Sequence, residues 1–147
     1  MAFRSSVTVR FADIDPAGVV YYPCFLHYCH TAMEDFFSGP VGFPYPRLIA
    51  EHRIGFPAVH LEVDFRKPLR YGDEVSIGVA IERVGNTSVT WRYDLQAVGH
   101  PGTVAEVKVV TACLDFDQFH ACAVPTWLRD SLARFSRENA QESSQSH

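Results

Sequence analysis

No apolar run in this chain approaches bilayer-spanning length, and Met1–Val9 contains none of signal-peptide length. A cytoplasmic protein with no membrane partner is therefore expected. A basic excess is also missing: the formal net charge is -4 and the pI is about 5.9. Free nucleic acid needs a basic field, so it is excluded as a partner, while a local cationic patch for a phosphate-bearing ligand stays open. The four cysteines, Cys24, Cys29, Cys113 and Cys122, show no CxxC spacing and read as free thiols packed as small apolar groups. There is no HExxH and no internal repeat. What is there is globular: 147 residues, 47% hydrophobic and 20% charged, suffice for one domain with a real core and not for two ordinary ones.

Hydropathy patterning orders the elements. Ser5–Phe11 alternates, with Val7, Val9 and Phe11 on one face, and reads as a half-buried strand. A helix is expected from Tyr22 or Pro23 to about Phe37, stopped by Ser38-Gly39-Pro40. Phe25, Tyr28, Cys29, Ala32, Met33 and Phe36 recur on it at three- and four-residue steps, an apolar stripe that must lie against a sheet. A short helix over Arg47–His52 follows, ending at Gly55. Four strands are then expected: Ala58–Leu69, Glu74–Val84, Thr87–Val98 and Thr103–Phe116. Their hairpin-length links make the sheet largely antiparallel. A short helix over Thr126–Phe135 closes a single domain, residues 1–135, and the polar stretch 136–147 reads as a disordered tail. One helix covers only one face of such a sheet, so a homo-oligomer, a dimer or dimer of dimers, is expected.

The stretch Arg10–Pro23 joins the first strand to the long helix. Pro16 cannot donate to a ladder and biases Asp15 away from helical torsions, and Gly18 can take positive φ. Asp15-Pro16-Ala17-Gly18 is thus ordinary turn chemistry, for which Asp13 would also serve. A chemical reading stands beside it. A helix start offers unpaired N–H groups and the positive end of the helix dipole. A carboxylate next to them can attack an acyl carbon or deprotonate a water, while the Tyr22 N–H holds the developing oxyanion. The local residues leave both readings open.

The string Phe11–Pro23, FADIDPAGVVYYP, followed by an aromatic-rich helix and four strands, resembles the hotdog-fold acyl-CoA thioesterases of the 4-hydroxybenzoyl-CoA thioesterase type. The resemblance runs from about Val7 to Phe116. It implies an α+β hotdog fold, a curled antiparallel five-stranded sheet wrapped around one long helix. It further implies hydrolysis of an acyl-CoA substrate to free acid and CoA, with no metal or other cofactor. By position, Asp15 matches the family's catalytic aspartate and Tyr22 supplies the oxyanion-binding amide. Members with broader acyl specificity often carry histidine where this chain has Pro23, which points to the aryl-CoA branch, with an aromatic or short acyl group.

His30 stands where relatives usually carry an acidic residue near the far end of the acyl pocket. It either reads a polar ring substituent or is a helix-surface histidine bonded to water or to Glu34. His27, His30 and Glu34 share a helical face, a weak metal signal that a polar face explains equally well. In this fold the segment from Phe56 to His60 lines the acyl pocket, often across a dimer interface, which nominates Val59 and His60 against ordinary packing and exposure. Arg66, Lys67, Arg70, Arg83 and Arg92 are candidates for CoA phosphates, though any one of them can simply be solvated. Relatives often place a basic residue in the turn where this chain has Val84-Gly85-Asn86, so Asn86 is included among the substrate-binding candidates. The alternative function is a non-catalytic acyl-CoA binding or sensing module. A dehydratase on this fold would want a His–Asp pair, and no histidine stands beside Asp15.

Overall fold

The computed structural model describes residues 3–145, with side chains described from Phe3 to Ser136. Strand β1 (Phe3–Thr8) leads through a 3-10 turn (Phe11–Asp13) to the long helix α1 (Pro23–Phe36). Next come a helical turn α2 (Tyr45–Arg47) and a short strand β2 (Ile54–Gly55). The long strands β3 (Ala58–Phe65), β4 (Glu74–Val84), β5 (Ser88–Ala97) and β6 (Thr103–Ala112) follow. Two short strands, β7 (Leu114–Asp115) and β8 (His120–Ala121), precede the C-terminal helix α3 (Thr126–Gln145). The main sheet has five strands in the order β1-β4-β5-β6-β3, antiparallel at every pairing. Wrapped around α1, it is the hotdog arrangement. A second sheet, β2-β7-β8, sits beside it.

The periodicities found their faces. All six residues of the α1 stripe are buried. On β4, Val75, Ile77, Val79 and Ile81 are buried, and on β5 so are Val89, Trp91, Tyr93 and Leu95. The Phe36 ring meets Trp91 edge-on at 5.7 Å, fixing the end of α1 over the middle of the sheet.

Element ends differ where hydrogen bonding overrode pattern. The first strand stops at Thr8, and Phe11, expected on its buried face, is 76% exposed in the 3-10 turn against Tyr71. Ser38-Gly39-Pro40 does not stop the chain but is wound into a π-helical turn, Phe37–Val41, which ends at Gly42 with φ 76°. Pro40 has no N–H to return to the preceding turn, and the wider winding absorbs that loss. The expected Arg47–His52 helix begins earlier, at Tyr45, and widens into a second π turn over Leu48–His52. The expected strand Thr103–Phe116 breaks at Cys113, whose N–H donates to the Thr87 carbonyl at 2.8 Å, and the chain then joins the small sheet. β3 ends at Phe65 and carries a bulge between Ala58 and His60. As an edge strand it exposes most of its side chains. Helix α3 continues to Gln145, so Ser136–Gln145, expected as disordered tail, is helical backbone, and Ser146 and His147 lie outside the described residues. Arg137, Glu138, Ala140 and Gln141 are good helix formers, and extending an existing helix is cheaper than starting one. Among the described residues no helix is long and apolar enough to cross a membrane.

Candidate active site

The Arg10–Pro23 segment folds as a tight hairpin. Asp13 Oδ2 accepts the Arg10 N–H at 3.0 Å and the Tyr28 hydroxyl at 2.8 Å, tying the 3-10 turn to α1. Burial, and then the bond to Asp13, hold the Tyr28 phenol well above its usual range. Two rungs close the hairpin: the Tyr21 N–H donates to the Asp13 carbonyl at 2.8 Å and the Asp15 N–H to the Val19 carbonyl at 2.9 Å. Gly18, at φ 83°, supplies the left-handed residue this reversal needs. The Val20 N–H then reaches the Leu69 carbonyl at 2.8 Å, stitching the hairpin to the segment between β3 and β4.

Asp15 is half-buried. Its Oδ1 accepts the Ala17 N–H at 2.8 Å, so the turn-forming role is realised. Its Oδ2 has no hydrogen-bond partner among the described residues. Tyr22 precedes the first residue of α1 and is 62% exposed. Its N–H finds no acceptor among the described residues, whereas the next amides, of Cys24 and Phe25, donate back to Tyr21 and Tyr22. One carboxylate oxygen and one helix-start amide are therefore both free on a single rigid hairpin.

An apolar cavity of about 410 Å³ opens between α1 and the β3 end of the sheet. From α1 it takes Leu26, Cys29, His30 and Met33; Tyr93 of β5 and Val109 and Thr111 of β6 form its floor. Tyr45, Phe56 and Phe116 wall it, with Ala58 and Leu61 on β3. Leu26 lies one helical turn, ~6 Å along the axis, beyond Tyr22, so the cavity begins about one turn from the free amide and runs along the helix. Asp15 itself does not line this cavity of the single chain.

The other residues singled out from sequence divide clearly. His30 lines the cavity, and its Nε2 lies 3.3 Å from Glu34 Oε2, the helix-surface pairing. His27 lies outside the cavity, and among the described residues no group of three potential ligands is placed to hold a metal ion. Val59, 64% exposed, and His60 do not line the cavity; Ala58 and Leu61 do. At Val59 the bulge is the reason, since it puts Ala58 opposite Thr111 and leaves Val59 as the extra residue turned outward. Asn86 also lies elsewhere. Its carbonyl accepts the Val124 N–H at 2.9 Å and Arg129 Nη2 at 2.8 Å, anchoring the start of α3.

Of the five basic candidates, Arg66 is bound to Glu106 at 2.8 Å and Arg92 to Glu82 at 2.7 Å. Lys67 and Arg70 instead join His100 around a surface cavity of about 340 Å³. Arg70 pairs with Val19 of the hairpin, so this cavity, which Asp73 also lines, lies alongside the Asp15 turn. Sequence reading missed Tyr45 and Tyr93 as cavity residues. Tyr93 had a signal, a polar tip in the buried row Val89, Trp91, Leu95; Tyr45, in a proline-rich loop, had none.

A family model described as the thioesterase-like superfamily matches residues 9–132, and the chain belongs to that superfamily. A 1,4-dihydroxy-2-naphthoyl-CoA hydrolase from Nostoc punctiforme is 34% identical over 131 residues, covering 78% of this chain and 76% of its own length. Among solved structures, a gentisyl-coenzyme A thioesterase is 28% identical with a TM-score of 0.78, over 86% of this chain and 99% of that one. A 1,4-dihydroxy-2-naphthoyl-CoA thioesterase from Synechocystis gives a TM-score of 0.80 at 23% identity, over 90% of this chain and 96% of its own, a likeness of fold alone.

Proposed function

We propose that this chain hydrolyses an aromatic acyl-CoA thioester to free acid and CoA, with Asp15 as nucleophile or general base and the Tyr22 N–H as oxyanion donor. Membership of the thioesterase-like superfamily and the hydrolase names of the relatives support thioester hydrolysis; the acyl group and the residue roles are the proposal. The observation that carries it is the hairpin that holds Asp15 Oδ2 and the Tyr22 N–H both unpaired, where Asp15 Oδ1 is already fixed by Ala17. Attack by Oδ2 on the thioester carbon would give a mixed anhydride and release the thiolate, which takes a proton from solvent; water then opens the anhydride. Alternatively, Oδ2 takes a proton from the attacking water. In both routes negative charge grows on the carbonyl oxygen, and one amide donor held there is worth ~3 kcal/mol of barrier.

The apolar cavity along α1 suits a flat aromatic acyl group, as do the aromatic acyl groups in the names of the relatives. The Lys67–Arg70–His100 cavity beside the turn suits the CoA phosphates. The exposed edge strand β3, with Val59, Leu61 and Phe65 uncovered, supports a homodimer that joins a cavity to the Asp15 turn of a second copy.

One observation favours a second reading. Asp15 forms an Asx turn and stands outside the single-chain cavity, as in a module that binds acyl-CoA without cleaving it. A thiol-release assay over a panel of aromatic and short-chain acyl-CoAs separates the two. Turnover of aryl-CoA that exceeds turnover of short-chain acyl-CoA supports the proposal; binding without any thiol release sinks it.

A further inference from the structure

Most polar atoms around the apolar cavity are already engaged. The Thr111 hydroxyl accepts the Trp91 indole N–H at 3.0 Å and donates to the Val89 carbonyl at 3.1 Å. Tyr45 Oη accepts the Phe56 N–H at 2.8 Å. His30 stands at the rim, half exposed and paired with Glu34. Tyr93 differs from all of these. The residue is only 4% exposed, yet its hydroxyl has no hydrogen bond to any described residue. Among the described residues no side-chain nitrogen or oxygen is both sealed from solvent and unpaired. The Tyr93 hydroxyl must therefore reach open space, and its side chain is buried on the inner face of β5, against the cavity.

The ring is held firmly. Tyr93 sits mid-strand, opposite Val79 on β4 and Val107 on β6, and its ring stacks on Trp91 at 6.4 Å and 14°. Phenylalanine would fill the same space, so packing does not call for the hydroxyl. Open to the cavity and bonded to no described residue, it is left for water or a ligand to pair with. Burial also keeps the phenol protonated well above its ordinary range, so it offers both a donor and an acceptor at physiological pH.

We infer that the Tyr93 hydroxyl, on the inner face of β5, is the group that reads a ring hydroxyl on the acyl group, so that this one side chain sets any preference for a hydroxylated over a plain aryl ligand. In its acyl-CoA form this rests on the thioesterase proposal; the recognition itself does not. A site built around a buried hydrogen-bonding group discriminates strongly against an analogue that leaves that group unpaired.

The test compares the parent with Tyr93→Phe on benzoyl-CoA and its 2-, 3- and 4-hydroxy derivatives, reading kcat/KM by thiol release. The parent is expected to favour at least one hydroxylated isomer over benzoyl-CoA by about tenfold or more, and Tyr93→Phe to bring that ratio close to one. The second arm measures binding of benzoate and the matching hydroxybenzoates to both proteins by ligand-observed NMR. It reads the same preference without chemistry, so a protein that binds selectively but releases no thiol would overturn the thioesterase proposal and leave this inference standing. Thermal melting supplies the fold check. Removing an unpaired hydroxyl leaves Tm equal to or above the parent value, whereas a purely structural hydroxyl would lower it. An unchanged ratio in Tyr93→Phe, or a parent with no preference in either arm, overturns the inference.

Discussion

Replacing Asp15 by asparagine and, separately, by alanine divides the turn from the chemistry. Asparagine keeps an oxygen where Oδ1 accepts the Ala17 N–H at 2.8 Å but removes the charge that makes Oδ2 a nucleophile or base. Alanine removes both. Losing a carboxylate that moves or donates electrons in the transition state costs about a hundredfold or more in kcat, about 2.7 kcal/mol at 1.36 kcal/mol per decade. The Asx hydrogen bond on this half-exposed turn is worth about 1 kcal/mol of stability, which for a chain of this size moves Tm by about 3 °C. Asparagine should therefore melt close to the parent and turn over at least about a hundredfold more slowly, while alanine should show the same kinetic loss with the lower Tm. The assays are thiol release under saturating aryl-CoA and melting by circular dichroism. If the asparagine variant retains turnover within about tenfold of the parent, Asp15 is a turn residue only and the mechanism built on it fails.

Three further outcomes follow from other parts of the molecule. A Cβ at Gly55 would fall 2.5 Å from the Phe116 ring and 3.2 Å from Tyr45 Oη, so Gly55→Ala should cost about 1–3 kcal/mol and deform the cavity wall, read as a lower urea midpoint and a raised KM. Burial lifts the Cys29 thiol from 9.0 to about 12 and raises the Tyr45 and Tyr93 phenols, so the unfolded chain gives up these protons first. Stability is then full below pH 9.0 and declines as pH rises toward 12, and a urea midpoint that stays flat over that window would contradict the burial of these groups. Charging the exposed edge with Val59→Lys should shift the parent oligomer toward a smaller species in light scattering after gel filtration, and a parent that is monomeric at the outset removes the β3 interface.

Local sequence determined what depends on local periodicity. The α1 stripe and the alternating rows of β4 and β5 went to the core because a helix or strand with one apolar face has few other ways to bury it. The Asp-Pro-Ala-Gly turn and the helix start at Pro23 were legible for the same reason, since Pro16, Gly18 and Pro23 restrict their own torsions. Tertiary structure decided which side chains share a space. The bulge at Ala58–His60 exchanged Val59 for Ala58 at the cavity, and the start of α3 claimed Asn86. Long-range pairing carried Tyr93 and Thr111 under the wall formed by Tyr45 and Phe56. Whether the Asp15 carboxylate would spend both oxygens on its turn or leave one free was equally invisible in the string. That depends on how the hairpin is stitched to Leu69 and Tyr28, contacts between residues far apart along the chain that no local repeat encodes.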